Sequence, residues 1–418
     1  MKSILLLAYQ VSPTRGSEYG VGWNFLINLA KKNKVYLVYG ASGDHMGDTK
    51  EIEEYFTSYP NNNIVIVPVK PSKLAAFINW FNKKGLTPLF YVAFMLWHRK
   101  VYAIVAELIK NEKIDLIHHL NPIGFREPGY LWGLGKPFVW GPIGGAQFVN
   151  PALLKNLPFG YKIFLFTKNA ITFFQLKYYS RVRQAAANSS QLIFSTKENK
   201  NNFEKFLGRT GLLISEQGSF GISTSETESC DVAKARLNLV WIGRVVKIKN
   251  LVFLFNALAL ISPRDKWILN IIGDGSEVGF LKKLACNLKI SENIVWYGRK
   301  PRSEAISLIR GSDLHLLSSL SEANPAVLFE AMSVGVPTIS LDQNGMHTTL
   351  ANGRGELVPV TTYDQTLAVF ASKISSFISN PQTIIELKRT MASYIEDSSW
   401  ARKIEQFEII YDNVLAKQ

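Results

Sequence analysis

One stretch of the 418-residue chain constrains its fold more than any other: residues 312–340, SDLHLLSSLSEANPAVLFEAMSVGVPTIS. Short apolar runs at Leu314–Ser318 and Thr338–Leu341 have the composition of buried strands. Between them apolar residues recur at helical spacing, and Gly335 and Pro337 end the predicted helix. A strand, a helix and a second strand in this order form one unit of a parallel sheet. The stretch therefore predicts an α/β fold.

The loop and the helix start within this stretch carry candidate ligand-binding groups. Asn324 is predicted to cap the helix and Pro325 to take its first position, where the missing N–H is not needed. Glu322 lies in the loop and Glu330 in the second helical turn. Free N–H groups at a helix start favour an anion, and open α/β sheets bind ligands at this edge. A phosphate on the helix and hydroxyls on the carboxylates would describe a sugar nucleotide, although two glutamates alone are more often solvated surface groups.

The length of the chain predicts two domains. The formal net charge is +14, from 47 Lys+Arg and 33 Asp+Glu, and it is unevenly distributed. Residues 1–225 hold 26 basic and 13 acidic side chains, a surplus of +13, whereas residues 226–418 hold 21 and 20, a surplus of +1. No nucleic-acid-binding module is recognisable, so an anionic membrane surface is the favoured partner of the basic half.

The cysteines and the first residues indicate the cellular compartment. Cys230 and Cys286 are too few for a disulfide framework and lack metal-ligand spacing, which suits a reducing cytoplasm. The N-terminal run MKSILLLAYQVSP is followed by no small-residue cleavage site, so we interpret it as a first buried strand and not as a signal peptide. The polar stretch 196–231 has the composition of an interdomain linker.

The first half of the chain predicts further strand–loop–helix units. Residues 3–9 form a predicted buried strand, and the loop VSPTRGSEYG leads into an amphipathic helix from Val21 to Lys32. This geometry places backbone N–H groups near a phosphate. Gly16 in the loop is explained equally well by a tight turn. Ile114–His119 is another predicted strand, with His118 and His119 at its carboxyl end.

Two aromatic and basic segments have two interpretations. The apolar run Leu86–Trp97 is too short to span a bilayer and contains Pro88. It could be a helix buried under the first domain, or a helix in the membrane interface. In the second case Trp80, Phe81 and Trp97 would be inserted, with Lys83, Lys84, Arg99 and Lys100 at the head groups. Residues 157–183 repeat this composition.

The second half alternates strands and helices again, which predicts a second parallel sheet with helices on both faces. The predicted strands are 239–243, 267–275 and 294–298, the helices between them are 250–261, 277–289 and 302–311, and an amphipathic helix from Trp400 to Leu415 ends the chain.

The segments WIGRVVKIKN, IIGDG, YGR and SEANPAVLFEAMSVGVPTIS, in this order, resemble the second domain of family 4 retaining glycosyltransferases. SPTRGSEYGVGW, DLIHH and GPIGG resemble the first domain. The strongest element is Glu322-x7-Glu330 followed by Ala-Met-x-x-Gly-x-Pro. The resemblance implies the GT-B architecture of two Rossmann-like parallel-sheet domains facing across a cleft. The expected parts are an acceptor-binding domain (residues 1–220), a nucleotide-sugar-binding domain (221–397) and a C-terminal helix (398–418) that packs back on the first domain.

The resemblance also implies roles for individual residues. Glu330 would hold the ribose hydroxyls of the donor and Glu322 a hydroxyl of its sugar, because carboxylates are strong acceptors. Arg244 and Lys249 would clamp the diphosphate and stabilise the charge on the leaving group. No Asp-x-Asp pair suited to a metal is present, so neither a metal nor a further cofactor is expected. The rest of the implied donor site is Gly275, Gly298 and Arg299 around the base, Ala323, Asn324 and Pro325 beside the sugar, and Gly16 from the first domain.

His119 is the candidate for the family's catalytic histidine, together with Glu322, Arg244 and Lys249. The family pattern is histidine, any residue, histidine, whereas the two histidines are adjacent here, so which of them enters the cleft stays open. His118 and Glu18 are the acceptor-side candidates. Retention in the family implies front-face attack, and no first-domain carboxylate stands out as a nucleophile.

The favoured prediction is a cytoplasmic transferase at the inner face of the membrane. It would move a hexosyl group from a nucleotide-diphosphate sugar to a lipid-linked or polysaccharide acceptor, as in cell-envelope biosynthesis. A dehydrogenase would need a glycine fingerprint and an acidic residue about 20 positions further on, and neither half offers the pair. The remaining alternative is a basic membrane- or nucleic-acid-binding protein without transferase activity.

Overall fold

The computed structural model describes residues 1–41, 50–86, 88–219, 236–395 and 397–417. Two compact units are distinguished by their internal contacts. The N-terminal unit comprises Met1–Gln147, Ala170–Glu216 and Trp400–Gln418, and the C-terminal unit comprises Phe148–Asn169 and Gln217–Ser399.

Strands and helices alternate along much of the described chain. The strands are β1 (Ser3–Ala8), β2 (Lys34–Gly40), β3 (Ile64–Val69), β4 (Leu116–Asn121), β5 (Phe138–Ile143), β6 (Gln191–Phe194), β7 (Leu212–Leu213), β8 (Leu237–Ile242), β9 (Trp267–Ile272), β10 (Ile294–Gly298), β11 (Leu314–Leu317), β12 (Thr338–Asp342) and β13 (Glu356–Pro359). The helices are α1 (Glu18–Leu29), α2 (Lys50–Ser58), α3 (Lys73–Lys83), α4 (Leu89–Asn111), α5 (Phe159–Tyr178), α6 (Ser180–Asn188), α7 (Lys197–Leu207), α8 (Leu251–Ala259), α9 (Val278–Asn287), α10 (Arg302–Arg310), α11 (Ala326–Ser333), α12 (Asn344–Leu350), α13 (Tyr363–Ser379), α14 (Gln382–Ile395) and α15 (Trp400–Leu415).

The N-terminal unit is built on a parallel sheet with the strand order β3-β2-β1-β4-β5-β6-β7. Every residue of β4 and Ile4–Ala8 of β1 are buried, as expected for central strands that helices cover on both faces. The direction of winding reverses between β1 and β4. Loops that leave the carboxyl ends of two such strands diverge, and the space between them is where open α/β sheets bind ligands.

The last helix of the chain, α15, completes the core of the N-terminal unit. Phe407 packs edge-on against Phe25 of α1, with ring centroids 4.8 Å apart. The hydroxyl of Tyr411 shares a hydrogen bond of 2.7 Å with Nδ1 of His118 in β4. Phe25, Phe407 and Tyr411 are fully buried, and burial of each such ring stabilises the fold by roughly 2 kcal/mol.

The C-terminal unit has a second parallel sheet with the order β10-β9-β8-β11-β12-β13. Its apolar strand residues alternate between two helix-covered faces, and Trp241 of β8 and Leu316 of β11 are fully buried. Winding reverses between β8 and β11, so the carboxyl ends of these strands mark the switch point of this unit. The two parallel Rossmann-like sheets confirm the predicted fold class.

Helix α4 differs from the predicted apolar segment. Pro88 lies immediately before the helix, which then continues for 23 residues. Among the described residues it is the one helix long and apolar enough to cross a membrane, with a mean hydropathy of 1.2, and 33% of that window is buried. Trp97 is fully buried and donates from Nε1 to the carbonyl of Val69 at 2.8 Å. The interpretation that inserts Trp97 into a membrane is therefore wrong, because this side chain belongs to the core of the N-terminal unit.

Two local predictions are corrected. Helix α11 begins at Ala326, with Pro325 rather than Asn324 at its N-cap. The predicted linker 196–231 begins with helix α7 and strand β7 of the N-terminal unit, because Phe203 of α7 is buried in that unit. Its later part, with Cys230, lies outside the described residues.

The predicted domain bounds remain a prediction. The boundary between residues 220 and 221 lies outside the described ranges. By their contacts, residues 148–169 group with the C-terminal unit and Trp400–Gln418 with the N-terminal unit.

Candidate functional site

The glycine turns at the carboxyl ends of β8, β9 and β10 interlock. The N–H of Gly273 donates to the carbonyl of Gly298 at 2.8 Å. A Cβ on Gly273, whose φ is +145°, would lie 1.8 Å from the carbonyl oxygen of Gly243. A Cβ on Gly275 would lie 2.3 Å from the carbonyl oxygen of Val245. No side chain fits at either position, so these turns can pack together only as glycines.

The loop after β8 carries both predicted cations and joins the loop after β11. The N–H of Leu320 donates to the backbone carbonyl of Ile248 at 2.8 Å. The hydroxyl of Ser318 donates to the backbone carbonyl of Lys249 at 3.2 Å. Across this junction the ammonium of Lys249 forms an ion pair with the carboxylate of Glu322, and each side chain is only 17% exposed. The structure therefore brings these two predicted residues together at the switch point.

Arg244 begins the same loop and remains open to solvent. Its neighbour Val245 is fully buried, and the Val245 N–H donates to the carbonyl of Asp274 at 2.9 Å. The guanidinium of Arg244 is exposed and has no hydrogen-bond or ion-pair partner in the described ranges. A fixed backbone with an open guanidinium suits an anion such as a phosphate.

Glu330 lies on α11 and is held from the neighbouring helix. Nε of Arg302 in α10 donates to Oε1 of Glu330 at 3.0 Å. The Glu330 side chain is partly buried, whereas that of Arg302 is exposed. Arg299, three residues earlier in the turn after β10, is also exposed. Sequence reasoning missed Arg302, although Arg-x-x-Arg after a predicted strand is a visible signal.

The backbone around Glu322 is fixed by the turn after β12. The N–H of Gly345 donates to the Glu322 carbonyl at 3.2 Å, and a Cβ on Gly345 would overlap the carbonyl oxygen of Ala323. The buried Asn324 accepts at Oδ1 from the hydroxyl of Thr349 at 2.9 Å. Gly345 was also missed. Its signal is the sequence DQNG, a turn directly after a predicted strand.

At the switch point of the N-terminal unit, Asn121 ties the end of β4 to the loop after β1. Its Oδ1 accepts from the N–H of Gln10 at 2.9 Å. Its Nδ2 donates to the carbonyls of Gln10 at 2.7 Å and Glu18 at 3.1 Å. Asn121 lies two residues after His119, so a polar residue at the true strand end was the available signal.

Gly16 lies in that loop but is not required to be glycine by local geometry. A Cβ there would meet nothing within 4 Å, and its φ is not in the left-handed region. The tight turn proposed as an explanation for Gly16 therefore does not require glycine at this position. Glu51 of α2 holds the loop by accepting from the hydroxyl of Thr14 at 2.9 Å and from Nε of Arg15 at 3.1 Å.

Glu18 is partly buried at the start of α1. Burial raises the pKa of its carboxyl to about 7, the negative charge of Glu216 adds to this, and a hydrogen bond from the backbone of Ile123 opposes it. Glu216 is itself buried. A carboxyl with such a pKa exchanges a proton near neutral pH, which is compatible with an acceptor-side role.

His118 does not project from a strand end, because β4 continues to Asn121. Its imidazole is fully buried and hydrogen-bonds through Nε2 to the carbonyl of Gly141 at 2.7 Å and through Nδ1 to Tyr411. Burial lowers its pKa to about 4, although the bond to Gly141 opposes this. His118 therefore joins β4 to α15 as a neutral core residue.

His119 is also buried in the N-terminal unit, on the other face of β4. Its Nδ1 hydrogen-bonds to the carbonyl of Pro128 at 3.1 Å, and its ring lies 5.5 Å from that of the buried His98. Burial lowers the pKa of His119 to about 3. The prediction that this imidazole projects from the strand end is wrong. Among the described residues, no group of three His, Cys, Asp or Glu side chains could hold a metal ion.

Residues 226–397 match the family model described as "Glycosyl transferases group 1". The lipopolysaccharide 1,6-galactosyltransferase of Salmonella typhimurium (strain LT2) is 37% identical over 91 residues, which are 21% of this chain and 25% of the relative. The N-acetyl-alpha-D-glucosaminyl L-malate synthase of Bacillus anthracis is 28% identical over 194 residues, 44% of this chain and 47% of the relative. The chain thus spans less than half the length of these curated relatives.

Solved structures share the fold over nearly the whole chain. The apo form of the lipopolysaccharide outer core galactosyltransferase WaaB superposes with a TM-score of 0.66 and 17% identity, covering 97% of this chain and 98% of the other. Anabaena Alr3699/HepE in complex with UDP-glucose gives a TM-score of 0.60 and 14% identity, with all of both chains covered. At these identities the likeness establishes the fold.

Proposed function

We propose that this chain is a retaining hexosyltransferase of the GT-B superfamily, a proposal supported by the family match over residues 226–397 and by the fold. The donor is a nucleotide-diphosphate sugar, and the acceptor is a lipid-linked saccharide or a polysaccharide of the cell envelope. The observation that supports this proposal most is the ion pair of Lys249 with Glu322 at the switch point of the C-terminal unit, with the exposed guanidinium of Arg244 on the same loop as Lys249.

The paired charges suit a donor that is both anionic and rich in hydroxyls. When a diphosphate binds, Arg244 and Lys249 can each donate charge-assisted hydrogen bonds to its oxygens. Glu322 is then free to accept from a sugar hydroxyl, while Glu330, oriented by Arg302, accepts from the ribose. Gly275, Gly298 and Arg299 would surround the base, and Ala323 to Pro325 the sugar.

In the proposed reaction the acceptor hydroxyl attacks the anomeric carbon from the side on which the diphosphate leaves. The bond from carbon to phosphate oxygen breaks, the glycosidic bond forms, and the hydroxyl proton passes to the departing phosphate. Arg244 and Lys249 stabilise the negative charge that develops on that phosphate. These cations supply the stabilisation that a metal ion gives elsewhere, so the reaction is proposed to need no metal.

The proposed acceptor side lies in the N-terminal unit. Gly16 would approach the diphosphate, and Glu18 would hold or orient an acceptor hydroxyl. His119 remains the proposed catalytic histidine through its backbone, because the imidazoles of His118 and His119 are both buried and hydrogen-bonded to backbone carbonyls.

The proposed location is the inner face of the membrane, through helix α5. Its outward side presents Phe159, Ile163, Phe166 and Phe174, each at least half exposed, while Leu165 is buried on the opposite side. A helix with such a stripe lies in the interface of a bilayer. The surplus of +13 in residues 1–225 favours an anionic lipid surface.

Helix α3, in the N-terminal unit, has an exposed apolar face of its own. Leu74, Phe77 and Trp80 are each at least half exposed, and the Lys84 ammonium lies 5.6 Å from the centre of the Trp80 ring. Lys73 lies beside these residues on the same face. Aromatic rings flanked by lysines suit the head-group region.

Thermal unfolding with nucleotides tests the donor assignment. We expect UDP or another nucleoside diphosphate to raise the Tm of the wild-type protein, since a ligand that binds only the folded state stabilises it. The Glu330→Ala variant should lose this shift, and the doubly substituted Arg244→Ala, Lys249→Ala variant should lose most turnover. No Tm shift with any nucleoside diphosphate, together with binding to DNA or vesicles, would instead favour a basic binding protein without transferase activity.

A further inference from the structure

Arg126 of the N-terminal unit is a half-buried cation whose hydrogen-bond acceptors are all neutral. Its Nη1 donates to the carbonyl of Gly145 at 3.3 Å and its Nε to Oε1 of Gln175 at 2.9 Å. Nη2 donates to the hydroxyl of Thr172 at 2.7 Å. Across the described parts of the chain, no carboxylate forms an ion pair with this guanidinium.

Arg181 of the same unit shows how a guanidinium in such a position is normally compensated. Its Nη1 donates to Oε1 of Glu127 at 2.6 Å, and its Nη2 forms an ion pair with the other carboxylate oxygen. For Arg126, burial lowers the pKa, and the groups that oppose this shift are those of the Tyr91 phenol. Burying a charge is costly unless an opposite charge pairs with it. Arg126 therefore lacks an anion that its surroundings would favour.

The guanidinium lies where a ligand can approach it. Gly145 directly follows the end of β5 by two residues, and carboxyl edges of parallel sheets are where such folds bind ligands. A Cβ on Gly145 would lie 3.5 Å from Nη1, so the glycine leaves room for an atom beside this nitrogen. The Tyr91 phenol, the remaining contact of Arg126, belongs to a side chain that is 45% exposed and can turn toward solvent.

Exposed apolar side chains border this cation on both neighbouring helices. In α5, Ile171, Phe174 and Tyr178 are exposed at helical spacing, beside the two α5 residues that bind Arg126. At 1.5 Å per residue this stripe is about 10 Å long. Tyr91 lies on the side of α4, and all of these residues belong to the N-terminal unit. A cation bordered by apolar rings suits a ligand with an anionic head and an aliphatic chain.

We propose that Arg126 binds the phosphate or diphosphate of a lipid whose chain lies against the exposed rings of α4 and α5. The phosphate accepts charge-assisted hydrogen bonds from the guanidinium and supplies the missing opposite charge. A soluble anion would leave the rings uncovered, and an uncharged chain would leave the cation uncompensated. The inference rests on the proposed function in one respect: the lipid would carry the saccharide acceptor, which selects a lipid-linked acceptor over a free polysaccharide.

Calorimetric titration of the full-length protein with farnesyl diphosphate tests this site, with excess UDP present to fill the proposed donor site. We expect farnesyl diphosphate to bind more tightly than inorganic pyrophosphate or farnesol, because it alone has both head and chain. Arg126→Gln should weaken its Kd at least about tenfold, equivalent to about 1.4 kcal/mol. Arg402→Gln is the matched control and should leave the Kd unchanged. Arg402 is an exposed arginine of α15, which lies on the opposite face of β4 from α4.

Phe174→Ser tests the apolar part of the site without changing the guanidinium. The side chain is 59% exposed, so this variant should fold like wild type. We expect it to bind farnesyl diphosphate more weakly and inorganic pyrophosphate as before. If Arg126→Gln unfolds, an unchanged farnesyl diphosphate affinity in Phe174→Ser overturns the site.

The outcomes also separate this inference from the proposed function. No binding of farnesyl diphosphate, or equal binding by wild type and Arg126→Gln, would overturn the site. Equal affinity for pyrophosphate would assign it to a free phosphate and equal affinity for farnesol to an uncharged chain. Tighter binding of dihexanoyl phosphatidylserine would assign it to bulk membrane lipid, and each of these three results also rejects the proposal.

The response to UDP decides the proposed function independently of this site. A UDP-induced rise in Tm that Arg126→Gln retains would leave the proposed function standing even if the lipid phosphate does not bind. Farnesyl diphosphate binding that depends on Arg126, without any response to UDP, would support this site alone and count against the transferase.

Discussion

At the scale of single residues, Lys249 and Glu322 neutralise each other in a partly buried pair. We expect Lys249→Gln to weaken UDP binding about tenfold, because one charge-assisted contact to phosphate is worth about 1.5–3 kcal/mol. Glu322→Gln should instead retain or tighten UDP binding, since it frees the ammonium, while turnover falls about a hundredfold through loss of the sugar contact. Calorimetric titration with UDP and a steady-state assay distinguish the two. Equal losses of UDP affinity in both variants would contradict the assigned roles.

Gly275 belongs to the interlocked turns, where a neighbouring backbone carbonyl leaves no room for a side chain. Gly275→Ala would place Cβ against the Val245 carbonyl oxygen and force the loop that carries Arg244 to move. We expect a lower Tm and a smaller UDP-induced shift in Tm. Gly279→Ala is the matched control, because a Cβ there meets nothing within 4 Å and alanine favours a helix by up to about 1 kcal/mol. A Gly275→Ala protein as stable and as responsive as Gly279→Ala would exclude this packing.

The buried carboxyl of Glu18 predicts how the stability of the folded protein depends on pH. Its folded-state pKa of about 7 lies above the ordinary 4.5, so the folded protein binds the extra proton. The free energy of unfolding therefore falls as pH rises from about 4.5 to about 7, by roughly 3 kcal/mol. Glu18→Gln removes this titration but keeps an acceptor for the Ile123 backbone. Chemical denaturation at pH 5 and pH 8 should show a smaller difference in the variant, and an unchanged difference would disprove the raised pKa.

At the scale of elements, α5 carries the membrane proposal. Phe159, Phe166 and Phe174 lie on its exposed side, so changing all three to serine removes apolar surface without opening the core. We expect the triple variant to lose most flotation with anionic vesicles while it keeps the wild-type Tm. Leu260→Ser, an exposed apolar residue at the end of α8, is the control and should float like wild type. Undiminished flotation of the triple variant would remove α5 from the proposed contact.

The strands and helices show which parts of the fold could be predicted from the sequence and which could not. Apolar runs alternating with helical periodicity predicted parallel α/β sheets in both halves of the chain, whereas the order of the strands in each sheet is known from the structure. The end of β4 was placed too early, because Leu120 and Asn121 continue a buried strand that the histidines seemed to close. The length of α4 was underestimated because Pro88 precedes its first turn rather than breaking it.

At the scale of the whole molecule, the uneven charge predicts salt dependence. The basic surplus lies in residues 1–225, so attraction to anionic vesicles should be electrostatic as well as hydrophobic. Raising the ionic strength from about 0.1 M to about 1 M shortens the Debye length from about 10 Å to about 3 Å. We expect the binding to phosphatidylserine vesicles in a sedimentation assay to fall at least about tenfold over this range, whereas any binding to neutral phosphatidylcholine should change little. Salt-independent binding to the anionic vesicles would contradict the electrostatic part.

Only part of the candidate site could be predicted from the sequence, because some of its residues depend on which turns meet in the folded protein. Arg244, Lys249, Glu322 and Glu330 were identified in the sequence through the resemblance to family 4 glycosyltransferases, and the predicted strands and helices place all four in or near two loops at one sheet edge. Partners such as Arg302, Asn121 and Gly345 depend on which turns meet in space, and periodicity carries no such information. The burial of both histidines likewise follows from the packing of α4 and α15 on β4.

The interlocked glycine turns have a consequence for engineering the specificity of this protein. Libraries that randomise positions 273 and 275 would yield mainly misfolded clones, because backbone atoms already occupy the volume of any new side chain there. Arg299 and Arg302 project from the same region on exposed side chains, and substitution there meets no such obstacle. Attempts to change the nucleotide preference should therefore diversify these arginines and leave the glycine scaffold untouched.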